Sequence, residues 1–89
     1  MDYLVKQFIK SIKEKLKLNE VNDVVIRKIS KSLKMHFEYG YPISMNDIEN
    51  VKLTVEENSY NEKNVFIYLG TCDFQYDLDG KLIGSGRSL

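Results

Sequence analysis

Apolar residues at Leu4, Val5, Phe8, Ile9, Ile12 and Leu16 follow one another at steps of one, three, one, three and four. That spacing is one face of a helix. Lys6, Lys10, Lys13 and Lys17 fall off this face and read as its solvated side. Asp2 can cap the start, where its charge suits the positive end of the helix dipole. A helix lying on a membrane surface is a poorer reading, because the chain has no Trp and a second helical pattern follows at once. In that second pattern Ile26, Ile29, Leu33 and Phe37 form the stripe, with Val25 and His36 at its edge. Asn19 or Asn22 suits its N-cap. Gly40, after Tyr39, suits a left-handed C-cap, and Pro42 prevents continuation. The pattern predicts helices over about 3–17 and 22–39. The short link between them favours an antiparallel hairpin.

After Gly40 the period falls to two. Ser44 with Asp47 resembles a capping box and predicts one short helical turn. Val51, Leu53 and Val55 then alternate with Lys52, Thr54 and Glu56, which is a half-buried strand over about 51–56. Residues 57–63 are polar and predict a loop. A two-residue turn at Gly70-Thr71 would pair Leu69 with Cys72, Ile67 with Phe74 and Val65 with Tyr76, placing all six on one face. Gly at the first turn position is what a type II′ hairpin requires. A single long strand bulged at Gly70 would switch faces equally well. A second reversal at Leu78-Asp79-Gly80 would put Asp77 opposite Lys81 and Tyr76 opposite Leu82, with Gly80 left-handed. These turns predict strands at about 65–69, 72–77 and 81–84, and a loose small-residue tail after Gly84. The expected fold is α+β, a single domain over 1–89. In it an N-terminal antiparallel helical hairpin packs on one face of a three- or four-stranded antiparallel β-meander. The helices should cover Val51, Leu53, Val65, Ile67, Leu69, Phe74 and Tyr76.

Length limits such a domain to one modest core. One cysteine excludes an internal disulfide. With no leader pattern (Lys6 and Lys10 interrupt the first apolar run) a reduced, cytoplasmic location is expected. No stretch approaches the roughly 20 apolar residues of a membrane helix. The formal net charge of zero conceals a division. Residues 1–40 carry nine Lys+Arg against five Asp+Glu, and residues 41–89 carry four against eight. The helical half is basic and the strand half acidic, which bears on partners rather than on fold.

The candidate chemistry is thin. Asp77-Leu78-Asp79-Gly80 invites a calcium loop, yet Gln75 and Gly86 stand where that pattern needs acids, and strands rather than helices flank it. Cys72 and His36, the only Cys and His, could formally pair as nucleophile and base. Cys72 falls on the predicted buried face, where a thiol acts as a small inert hydrophobe. His36 falls where it can assist the last carbonyls of a helix. The scattered carboxylates lack the contrasting environments of an acid–base pair, and no phosphate-cradling loop or serine motif is present. No catalytic residue, cofactor or metal is expected. Nucleic acid is an unfavoured partner. The cations are mostly lysines at solubilising positions, and no recognition helix carries a base-reading cluster near its start.

Phe66 and Tyr68 are better clues, because they point away from the Cys72 and Phe74 face and lie beside Asp73 and Gln75. Either a further layer covers them or they are exposed, and exposed aromatics beside acids make a protein-binding patch. In size, Lys/Asn/Ile-rich composition, lack of catalytic motifs and acidic strand surface, the chain resembles the small bacterial immunity proteins that neutralise toxins, such as those of contact-dependent inhibition systems. That resemblance implies a non-catalytic inhibitor bound tightly to a basic toxin domain, often a nuclease. The partner-binding residues expected here are Phe66, Tyr68, Asp73, Gln75, Asp77 and Glu56. The alternatives are a structural or regulatory homodimer joined through Phe66 and Tyr68, and a lysine-faced nucleic-acid binder.

Overall fold

Two helices lie on one side of a four-stranded antiparallel sheet in the computed structural model, which describes residues 2–38 and 44–87. The side chains of Asp2 and Arg87 lie outside that description, as do the expected C-cap at Tyr39-Gly40 and the stop at Pro42. The elements run α1 (Asp2–Leu18), α2 (Asp23–Glu38), α3 (Met45–Glu49), β1 (Lys52–Glu57), β2 (Lys63–Leu69), β3 (Cys72–Asp77) and β4 (Leu82–Arg87).

The helical spacing does what it predicts. Val5, Phe8, Ile12 and Leu16 of α1 are buried, and Leu4 and Ile9 pack against them at the margin. From α2 come Val25, Ile26, Ile29, Leu33 and Phe37. The two cap candidates divide the work at the link. Asn19 closes α1, its Nδ2 donating to the Lys15 carbonyl at 2.8 Å. Asn22 opens α2, its Oδ1 accepting from the Val24 N–H at 2.7 Å. Between them Glu20 takes a φ of 60°, the left-handed step that reverses the chain. Ser44 and Asp47 complete the capping box of α3, with both reciprocal bonds at 3.2 Å.

The sheet is a meander in the order β1-β2-β3-β4. Leu69 pairs with Cys72, Ile67 with Phe74 and Val65 with Tyr76. Gly70 has a φ of 60° and Thr71 is not in the positive region, the φ signs of a type II′ turn. At the second reversal the Asp77 N–H donates to the Lys81 carbonyl at 3.0 Å, and Tyr76 pairs with Leu82. Gly80 sits at a φ of 82°, and a Cβ there would lie 2.7 Å from the Lys28 Cβ. Glycine is therefore required twice over, by conformation and by space.

The segment after Gly84 corrects the expected loose tail. β4 runs on to Arg87, with Ser85, Gly86 and Arg87 opposite Phe74, Asp73 and Cys72. Small residues carry no alternation for a pattern to detect, but their backbone groups complete the ladder on β3. The register shifts at the pair after Gln75, because Gln75 faces Gly84 while Tyr76 faces Leu82. Ile83 is the extra residue of a bulge, which transfers Gly84 to the face of the sheet turned away from the helices.

Among the described residues, seventeen buried apolar residues make one core between the helices and the near face of the sheet. A chain of rings crosses it. Phe8 meets Phe37 edge-on at 4.9 Å, Phe37 lies 6.0 Å from Phe74, and His36 lies 5.4 Å from Phe74. α1, α2 and β3 are joined through that run, with each aromatic contact worth about 0.5–1.5 kcal/mol beyond simple burial. Tyr76 is fully buried, and its hydroxyl donates to the Ser32 Oγ at 2.9 Å. Burial pushes the Tyr76 phenol up to about 12, and the bond to Ser32 only partly offsets this.

Candidate interaction surfaces

Strand parity decides what the far face of the sheet displays. Because alternate residues share a face, the ladder registers give three cross-strand rows. Lys52, Tyr68, Asp73 and Gly86 form the first, and Thr54, Phe66, Gln75 and Gly84 the second. Glu56, Asn64 and Asp77 form the third. All six residues expected to bind a partner therefore share one face. The helices lie on the other side of the sheet, and Tyr68 is 41 % exposed. Phe66 is half-buried, while Asp73 and Glu56 are exposed.

The side chains differ in how free they are. The Asp77 Oδ1 accepts from the Asp79 and Lys81 N–H groups, each at 2.9 Å, so this carboxylate braces the hairpin turn as well as charging the face. The same two bonds explain the acidic loop without any cation. Asn64 sits 7 % exposed in the third row. Toward β4 the face is bare, since Gly84 and Gly86 offer no side chain. A Cβ on Gly86 would lie 2.9 Å from the Asp73 Oδ1, so the glycine leaves the carboxylate its room. Two hollows flank the aromatic pair. One, of about 550 Å³, lies between Tyr68 and the Asn46, Asp47 and Asn50 side of α3. The other, of about 290 Å³, lies between Phe66 and Glu56, Glu57 and Asn58.

Lys52, Thr54, Asn64, Gly84 and Gly86 belong to this face and were not among the expected residues. The alternation of β1 already placed Lys52 and Thr54 beside Glu56. The two glycines reach the face only through the bulge.

A second surface lies between the helices. A groove of about 660 Å³ is lined, among the described residues, by α1 and α2. Lys6, Lys10, Lys13 and Lys17 form the α1 wall, and Arg27, Lys31 and Lys34 form the α2 wall. All seven are exposed. Glu14 is the one acid among the described residues in its lining. Val5, Ile9 and Ser30 complete the lining between the cationic walls. Ser30 is 6 % exposed, and its Oγ has no hydrogen-bond partner among the described residues. The lysines expected only to solubilise thus frame a concavity. The signal was in the spacing: both cationic sets step by three and four, the period of one helix face.

Cys72 is buried and free, in keeping with an inert core thiol. Among the described residues no group of three or more His, Cys, Asp or Glu side chains could hold a metal ion. Also among them, no helix is long and apolar enough to cross a membrane. Comparison of the chain with protein-family models, curated proteins and solved structures gives no match in any of the three.

Proposed function

We infer that this protein is a non-catalytic binding module whose far sheet face docks a basic protein surface, in the manner of an immunity protein neutralising a nuclease-like toxin domain. The observation that carries the reading is the shared face: Phe66 and Tyr68 lie in adjacent rows with Glu56, Asp73 and Asp77 around them. Aromatics held on a hydrogen-bonded ladder are rigid anchors, and they lose little freedom on binding. The surrounding acids raise the rate of encounter with a basic surface. Hollows on either side of the pair can receive protruding side chains. The reading places the protein in a reduced cytoplasmic compartment, where Cys72 stays a thiol.

Photo-crosslinking from position 68 in the native host tests it, followed by titration of the captured protein, once purified, against the native chain and two variants. Tyr68→Ala should raise the dissociation rate at least about tenfold with the fold intact. Asp73→Lys should slow association, and more so at low salt. A complex whose amide-exchange protection falls wholly on α1 and α2 would sink the reading. So would a dimer in sedimentation that Tyr68→Ala dissolves, because the face would then belong to a second copy.

A further inference from the structure

We propose that the groove between α1 and α2 is a second docking site, and that its occupant is an acidic amphipathic helix of a partner protein. None of the described residues lining this groove belongs to the sheet face. Among the described residues the groove sets seven cations against one acid, so the occupant is anionic. Between the walls lie Val5 and Ile9, so the occupant also has apolar surface to bury. From Lys6 to Lys17 the α1 wall runs about 16 Å, or roughly three helical turns. A helix with an apolar stripe and Asp or Glu on both flanks satisfies floor and walls together, and it would extend the α1–α2 pair into a three-helix layer. Within residues 1–89 the acid-rich half is built mainly of strands and turns and offers no such helix.

A nucleic acid fits less well. It would answer the cations, but among the described residues no aromatic side chain lines the groove for a base to stack on, and Arg27 is the one Arg there. Its phosphates would bring nothing apolar to Val5 and Ile9. A membrane is flat, whereas this apolar floor is recessed between charged walls. Ser30 adds a further requirement. It is a lining residue whose buried hydroxyl has no partner among the described residues, so a polar side chain within the occupant's apolar stripe, seated against this position, would complete it.

The test uses the full chain and labelled probes at physiological salt. The first probe is a synthetic helix-forming peptide of about four turns, with Leu at i, i+3, i+4 and i+7 spacing, one Asn in that stripe, and Glu on both flanks. The others are the same peptide with its residues scrambled, the same peptide with Gln in place of Glu, a single-stranded DNA and RNA oligonucleotide pair, and phosphatidylglycerol vesicles. The amphipathic acidic peptide should bind at least about tenfold more tightly than either altered peptide, a gap of about 1.4 kcal/mol. Its amide shift changes should fall within 5–17 and 27–34. The Lys10→Glu/Lys31→Glu double variant should weaken it by about tenfold or more, since like charges would then face each other across the complex. Tyr68→Ala should leave it unchanged. Equal binding of the scrambled peptide, tighter binding of an oligonucleotide or of vesicles, or indifference to the double charge reversal would each overturn the proposal.

Discussion

The two outward surfaces of this fold differ in sign and in stiffness. On the far sheet face two aromatic rings stand on a four-stranded ladder with acids around them. Between the helices, seven cations on long flexible stems surround a recessed apolar floor. A ring on a ladder fixes position and a lysine stem does not. The sheet face is therefore suited to one partner geometry, while the groove can adjust its rim to the spacing of acids along the occupant. Both surfaces depend on the same core, because the helices that hold the groove are fixed to the strands that hold the rings.

That shared dependence can be broken first. Phe37 touches Phe8 on α1 and Phe74 on β3. Phe37→Ala should cost about 3–5 kcal/mol, as removal of a large buried ring generally does. Denaturant unfolding measures the loss, and both surfaces should fail together. A cost below about 1 kcal/mol would show the helices and the sheet to be separable, and the comparison would lose its common base.

A subtler break comes from alkali. The Tyr76 phenol is raised to about 12 from its ordinary 10.0, so the folded state holds that proton more tightly than the unfolded chain. Its contribution is fully present below pH 10 and is lost as pH climbs from there through about 12. Over that window roughly 2–3 kcal/mol should disappear. Tyr76→Phe should give up about 1 kcal/mol with the Ser32 hydrogen bond and should remove this part of the pH dependence. A variant that loses stability between pH 10 and 12 as steeply as the native chain would show that the phenol is not the group responsible.

Gly80 tests the contact between the sheet's last turn and α2. Gly80→Ala meets both an unfavourable φ and the Lys28 Cβ. A loss of about 1–3 kcal/mol is expected, with the melting temperature as the measure. An unchanged melting temperature would mean that the turn can move away from α2 at no cost.

How much of this was legible beforehand follows from the kind of force involved. The meander register could be read because turn letters and parity both fix it. Gly70-Thr71 and Asp77 to Gly80 left few ways to pair Val65 with Tyr76 or Tyr76 with Leu82. The far sheet face came with it, since Phe66, Tyr68, Asp73 and Gln75 follow from the same parity. Gly84 to Arg87 escaped because pairing there is made by backbone groups, and no side-chain pattern announces them. The bulge at Ile83 escaped for a related reason, as nothing local asks for an extra residue. The groove escaped because it is tertiary. Each helix records its own cationic stripe, but only packing sets the two stripes face to face.

The smallest expected effect separates the groove from a mere solvated surface. The Ser30 Oγ is buried without a partner among the described residues, and a buried hydroxyl left so costs about 1–3 kcal/mol in comparable cases. Ser30→Ala removes the hydroxyl at a helix position that favours Ala intrinsically by a few tenths of a kcal/mol. The free chain should then be stabilised by about 0.5–1 kcal/mol, less than the full cost because a small void replaces the oxygen. Binding of the Asn-bearing acidic peptide should weaken several-fold, about 1 kcal/mol, since the Asn would lose its buried partner. A chain that gains stability and loses affinity through the same atom is holding an unmet hydrogen bond for an occupant. If Ser30→Ala lowered stability and left the peptide affinity unchanged, the hydroxyl would be satisfied within the free protein, and the groove floor would be packing rather than a site.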